Sequence, residues 1–333
     1  MGKASVFTAV VVCLFRFCHR APFVVFADFE AFVHPTGQTR PTRGHKTFDY
    51  EEQVPCSVGW KVVSVIPQFA EEFQQLVGED CVERFLKKML KFAQATKKYM
   101  FDEARMVMSE LDRFCFASAI TCHICNRFID PFAEKIGDKK VRDHDHITGR
   151  YLGAAHSRCN LRAQQTFRIP VFFHNFRGYD GHFITKALKH FGEEKIGVIG
   201  QGMEKYLTLS LGLLVFKDSL MFLGASLQSL TENLLKAGIE NFRFLRNEFA
   251  TATDEQFRLL LRKGVYPYEY MDSMARFAEQ QLPPKEEFFS KLHHSGITDE
   301  EYAHAQNVWR SFDMHTMLDY HNLYLKSKSA YMF

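Results

Sequence analysis

Between Pro22 and Ala27 the chain reads PFVVFA, an apolar run rich in Val and Phe that has the length of a buried strand and is too short for a helix. It runs into Asp28-Phe29-Glu30, where the two-residue alternation of a strand puts both acids on one side and turns Phe29 back into a core. A polar Pro/Gly/Thr loop from His34 to Lys46 leads to a second strand pattern over Val58 to Ile66, which Pro67 ends. From Phe69 to Ser118 the period lengthens to that of amphipathic helices, with Val82, Phe85, Leu86, Met89, Leu90 and Phe92 on an apolar face, and two or three helices are expected. Thr121 to Asn160 has another texture, short and dense in Cys, His and Asp. Ile169 to Phe173 is a further buried-strand pattern, followed by a turn at Asn175 to Gly178 and a helix from about Gly181. Tyr206 to Leu211 and Leu213 to Leu223 read as paired strands about Gly212, Leu227 to Ala237 as an amphipathic helix, and the last 40 or so residues as helical.

Strands alternating with helices, and acids recurring after the strands, predict an α/β fold with a mixed central sheet. The Cys/His-rich segment is expected as an insertion, which divides the chain into residues 1–118, 119–165 and 166–333. The 333 residues are 46% hydrophobic and 24% charged, which excludes a disordered or fibrous chain. A net charge of +3 excludes a polybasic arm, so a nucleic-acid contact has to come from a local patch. Thirty-four Phe against two Trp imply a core built on Phe. Eight Cys in a chain of this length are too sparse for a disulfide scaffold, and the metal-like spacing of three of them points to a reducing intracellular compartment, nuclear or cytoplasmic. The apolar stretch Ala4 to Phe15 imitates a signal-peptide core, but Arg16, His19 and Arg20 follow it without a small-x-small cleavage site. It is also too short to span a bilayer, so it reads as part of the fold and no membrane partner is expected.

Two carboxylates held side by side on a strand repel each other unless a cation neutralises them, and magnesium or manganese is the usual choice for hard oxygen ligands. Such pairs serve two-metal phosphodiester hydrolysis. The segment His174-Asn175-Phe176-Arg177-Gly178-Tyr179-Asp180 follows a second buried strand and supplies an acid where a third ligand is needed. The D-x-E at Asp28/Glu30 and the Asn175…Tyr179-Asp180 segment resemble the first two exonuclease motifs of family B DNA polymerases. The protein-primed subgroup of viruses and self-synthesising transposons is the most similar. Further segments typical of it follow in order: the strand pair holding FKDSLMFL, then KGVYPYEYMDS from Lys263, Leu282-Pro283-Pro284, and DYHNLYL from Asp319. The resemblance implies a ribonuclease-H-like fold, removal of single-stranded 3′ ends during DNA replication, catalytic roles for Asp28, Glu30, Asp180 and Tyr324, and a DNA contact from Asn175. It also implies a polymerase portion and a terminal protein as partners. The family's third motif is Tyr-x3-Asp, and Lys328 stands at the Asp position after Tyr324. An ammonium cannot ligate a metal and repels one, so an impaired exonuclease site is expected. No palm with its paired aspartates follows in the sequence, so no nucleotidyltransferase site is expected in these residues.

Cys122-x2-Cys125 and His156-x2-Cys159 form two pairs with the spacing of a tetrahedral zinc knuckle. Between them lies Val141-Arg142-Asp143-His144-Asp145-His146-Ile147-Thr148-Gly149-Arg150, and Asn160 follows the second pair. This segment resembles the His-Me finger of phage recombination endonuclease VII, a ββα module, over about 40 residues. The resemblance implies that Asp143 and Asn160 hold a magnesium ion and that His144 activates water against branched DNA. Two readings stay open here: a nuclease, and a zinc-stapled module that touches DNA without cutting it.

Overall fold

A computed structural model of the chain describes residues 21–35, 51–101, 106–145, 148–164, 168–200, 206–291 and 294–332. The apolar stretch Ala4 to Phe15, most of the loop after His34, and His146 lie outside them. Nine strands are described: β1 (Phe23–Pro35), β2 (Glu51–Ser64), β3 (Gln74–Val77), β4 (Lys140–His144), β5 (Tyr151–His156), β6 (Ile169–Phe173), β7 (Ile196–Gly200), β8 (Tyr206–Leu211) and β9 (Leu214–Asp218). The main helices are α1 (Cys81–Met100), α2 (Glu110–Ser118), α3 (Ser157–Gln164), α4 (Asp180–Ala187), α5 (Leu227–Lys236), α6 (Asp299–Ser311) and α7 (Met317–Ala330). Seven strands form one sheet in the order β3-β2-β1-β6-β9-β8-β7. The pairs β1/β6 and β6/β9 are parallel and the others antiparallel, so this is the mixed α/β sheet that the pattern predicts.

One face of the sheet is a layer of phenylalanine. Phe29 stacks on Phe173 with ring centroids 5.6 Å apart and meets Phe85 and Phe183 edge-on, and Phe176 stacks on Phe216 at 5.9 Å. Helix α1 closes this layer with Phe85, Leu86 and Met89. Edge and stacked arrangements are what ring quadrupoles favour, so the Phe-rich composition becomes a self-consistent core. The opposite face is crossed by α7, which packs on β1 and β2 and buries Tyr324 and Leu325.

Several elements differ from the sequence pattern, among them the expected strand from Leu213 to Leu223, which ends at Asp218 and gives way to a short helix over Leu220–Leu223. Asp28 and Glu30 sit in the middle of β1, because β2 continues the ladder past them to Pro35, with an irregularity between Glu30 and Ala31. The stretch from Phe69 to Asp80 is not helical: Leu76 and Val77 pair with Val58 and Ser57, so a sheet edge overrides local helical period. Helix α1 starts only after Gly78, whose φ of 135° breaks the strand. The edge strand β7 has no clear strand pattern in the sequence, since two of its five residues are glycine.

The Cys/His segment is a separate two-stranded sheet, β4 and β5, followed by α3. It has its own small core of Cys122, Ile129, Ala154 and Ala155. Helix α2 joins this core through Phe116, whose ring meets Tyr151 edge-on. The packed unit therefore reaches upstream of residue 119.

Candidate functional site

Alternation along β1 delivers what the spacing implies, with Asp28 and Glu30 on one face and Phe29 on the other. Both acids are only 2% exposed, because α7 lies over them. From α7 the ammonium of Lys328 reaches between them, with Nζ 2.9 Å from Asp28 Oδ2 and 2.8 Å from Glu30 Oε1. Asp180, at the start of α4, completes the cluster, and its Oδ1 accepts the Phe29 backbone N–H at 3.1 Å. The structure thus brings together Asp28, Glu30, Asp180 and Lys328 from three distant segments. Tyr324 lies one turn before Lys328 and is buried, its hydroxyl hydrogen-bonded to that of Tyr268 and its ring stacked on Tyr266. Asp319 is committed elsewhere: it is the capping-box acid at the N-terminus of α7, accepting from the Thr316 N–H at 2.8 Å.

Burial dominates the electrostatics. It pushes Glu30 up to about 7, helped by the negative charge of Asp28 and opposed by Lys328. Burial, then Asp28, raises Asp180 well above the usual carboxylate range, and its Oδ2 takes no hydrogen bond. Burial works against the Lys328 charge, yet Asp28 and Glu30 outweigh it and hold the ammonium well above the ordinary lysine value. The Lys328 ammonium thus stands between Asp28 and Glu30, while burial favours the neutral forms of Glu30 and Asp180. The ammonium fills the space between the two strand carboxylates.

The surrounding frame is specific. Helix α7 is clamped to β2 by fully buried His321, hydrogen-bonded through Nε2 to Ser57 Oγ (2.7 Å) and through Nδ1 to the Tyr266 hydroxyl (2.6 Å). Burial lowers this histidine to about 3, so it is neutral and one nitrogen donates while the other accepts. Asp218 at the end of β9 organises the loop before Asp180. Its Oδ1 accepts from the Asn175 and Leu220 N–H groups at 3.0 Å, and its Oδ2 from Arg177 N–H at 3.2 Å. This fixes Asn175 in its left-handed conformation, φ 70°. The sequence pattern did not single out Asp218, which it placed inside a strand running to Leu223; the residue ends β9 and holds a loop. The cluster opens into a cleft of about 990 Å³ lined by Asn175, His174, Tyr179, Lys263 and Tyr268 as well as Lys328.

In the small unit, the Sγ or ring nitrogen atoms of Cys122, Cys125, His156 and Cys159 all lie within 4.8 Å of one another, a set able to hold a metal such as zinc. His156 Nδ1 is 3.5 Å from Cys125 Sγ and 3.8 Å from Cys159 Sγ, against about 3.6 Å for N and S ligands of tetrahedral zinc. His156 Nε2–H donates to the Phe128 carbonyl at 3.0 Å, which leaves the Nδ1 lone pair for a metal. Although burial opposes it, backbone N–H groups of Cys125, His156 and Ile124 pull the Cys122 thiol down to about 6. Asp143 and His144 end β4, where the pairing with β5 is irregular, and Asn160 sits on α3 directly after Cys159, with α3 packed on both strands. Asp145 shapes the hairpin turn, its Oδ1 accepting the Thr148 N–H at 3.0 Å. The sequence did not single out His123, whose Nε2 lies 2.7 Å from Asp143 Oδ2.

No protein-family model, curated protein or solved structure matches this chain. Among the described residues no helix is long and apolar enough to cross a membrane.

Two outcomes are expected from this geometry. Lys328→Met leaves two buried carboxylates without a counter-charge, a loss of about 3 to 5 kcal/mol in chemical denaturation near neutral pH. The folded chain holds the Glu30 proton more tightly than the unfolded chain, so stability from this group is full below about 4.5 and falls as pH rises through about 7. Lys328 lowers the Glu30 value, so its removal moves that window upward, and the variant regains much of its lost stability at pH 5; an equal deficit at pH 5 and 8 contradicts the pairing. The second outcome is about one zinc per chain after purification without chelator, lost in a Cys122→Ser/Cys159→Ser double variant. Metal analysis that finds no zinc, or zinc undiminished in the double variant, refutes the four-ligand set.

Proposed function

We propose that this chain is the 3′–5′ exonuclease region of a protein-primed family B DNA polymerase, with a ribonuclease-H-like sheet. In this reading it binds single-stranded 3′ ends in the cleft and is held from hydrolysing them by Lys328. The observation that carries the reading is the single cluster formed by Asp28, Glu30, Asp180 and Lys328, with Tyr324 one turn before Lys328 on the same helix. Three stretches far apart in the chain meet there, which is the arrangement that this reading expects. Lys263 and the Tyr179 and Tyr268 rings in the cleft suit a nucleic-acid strand, the cation for phosphate and the rings for bases. Such a chain works inside the cell, with a polymerase portion and a terminal protein as partners. The chemistry that remains to the site is binding, because the ammonium occupies the place of the second metal that two-metal hydrolysis needs.

A second reading has its own observation. Asp143 and His144 at the irregular end of a zinc-type hairpin, with Asn160 on the helix that follows, are the parts of a magnesium-dependent endonuclease acting on branched DNA. Asp143 and Asn160 would hold the ion, which supplies charge at the scissile phosphate, and His144 would take the proton from water.

Lys328→Asp removes the competing charge and restores a ligand, so it is expected to raise magnesium-dependent 3′-to-5′ degradation of single-stranded DNA by at least about 10²-fold, a barrier change near 2.7 kcal/mol. Lys328→Ala should recover little, and Lys328→Asp with Asp28→Ala should be dead. A folded Lys328→Asp protein with no gain overturns the first reading. For the second, His144→Ala is expected to lower cutting of branched DNA by about 10² to 10⁴ while Asp28→Ala leaves it unchanged. The reverse pattern moves the cutting to the sheet.

A further inference from the structure

His123 is an imidazole of the small unit that belongs neither to the zinc set nor to the Asp143, His144 and Asn160 group. It stands between Cys122 and Cys125, and its backbone N–H donates to the Ala154 carbonyl at 2.9 Å. Its ring lies against the backbone of Gly153, where an added Cβ would come within 2.6 Å of the ring. Gly153 is the residue that faces Asp143 across the hairpin, and the absence of a side chain there lets the ring reach over the strand to the carboxylate. Nε2 is 2.7 Å from Asp143 Oδ2, and Asp143 is only 7% exposed. An ionised carboxylate is an acceptor only, so Nε2 carries the hydrogen and donates it. One oxygen of Asp143 is committed to this bond, which fixes the plane and direction of the other.

We propose that His123 is a positioning residue: it ties closure of the zinc knuckle to the orientation of Asp143, so that the carboxylate is aimed for a hard divalent cation. The proposal rests on the reading of the small unit as a divalent-cation nuclease. The physical link is short. A metal held by Cys122 and Cys125 fixes the backbone of the two residues between them, and the ring of the first, His123, holds Asp143. A histidine that only filled space on Gly153 would need no donor atom, and Leu would serve equally. Outer partners that orient a ligating carboxylate are typically worth about 10- to 100-fold in metal affinity.

The test uses the full zinc-loaded chain and titrates Mn²⁺ by electron paramagnetic resonance, alongside zinc content. His123→Leu is expected to keep about one zinc and to lose about 10- to 100-fold in Mn²⁺ affinity. His123→Gln retains an N–H donor of similar reach and should recover most of the loss, a rescue that a packing role does not give. Loss of zinc in both variants, or Mn²⁺ affinity unchanged in zinc-loaded His123→Leu, overturns the proposal. So does a failure of His123→Gln to rescue. Asp143→Asn separates the two levels of the argument. If it leaves Mn²⁺ binding unchanged, the cation site itself is wrong; if it abolishes binding while His123→Leu does not, only the role given to His123 is wrong.

Discussion

The arrangement of the main sheet turns on one ammonium. Lys328 has to be buried beside Asp28 and Glu30, and these have to be buried because α7 lies across β1. Removing such charges from water costs several kcal/mol each, and a contact near 3 to 4 Å returns roughly 4 kcal/mol at an effective dielectric near 20. The cluster therefore comes close to breaking even as a source of stability. Its effect is on specificity: α7 fits over the sheet only in the register that sets Lys328 between the two acids, and the His321 clamp on Ser57 enforces the same register two turns earlier. A helix shifted by one residue would bury two carboxylates and no cation. The fold thus contains its own counter-ion, tethered to the chain, where related chemistry uses a dissociable metal.

The small unit follows the opposite logic. Among the described residues its core holds four buried apolar residues, few to sustain a hairpin and a short helix in water. What closes it is the set of soft ligands, whose positions are already fixed by bonds to the backbone: Phe128 carbonyl to His156, and backbone N–H groups to Cys122. Sulfur and imidazole in tetrahedral spacing select a borderline-soft ion, while the carboxylates of β1 and α4 would select a hard one. The two clusters therefore differ in the kind of cation that each suits.

Much of this was legible from local pattern. The alternation Asp28-Phe29-Glu30, the apolar strand Ile169–Phe173, the turn at Gly212 and the paired x2 spacing of the Cys/His ligands each depend on neighbours in the chain, and each is found where the pattern puts it. That Tyr324 and Lys328 share a helix face was legible too, from their spacing of four. What local pattern could not give was anything decided by a distant partner. The span from Gln74 to Val77 becomes a strand because β2 offers an open edge. The depth of burial of Asp28 and Glu30 comes from a helix some 300 residues away, as the 298-residue separation of the Lys328–Glu30 bond records. His123 was invisible because its partner, Asp143, is brought to it by a hairpin that depends on Gly153 having no side chain.

In the proposed reading, these long-range dependences also separate binding from hydrolysis at the sheet. The groups that shape the cleft, Asn175 held by Asp218 and the Tyr266, Tyr268 and Tyr324 rings held by α7, are positioned by hydrogen bonds and packing. Hydrolysis, in contrast, requires charge at two points on the scissile phosphate, and an ammonium fixed between two carboxylates has most of its field cancelled by them. On that proposed reading, a lysine at this position therefore keeps a strand-binding cleft while denying the site its metal-dependent step.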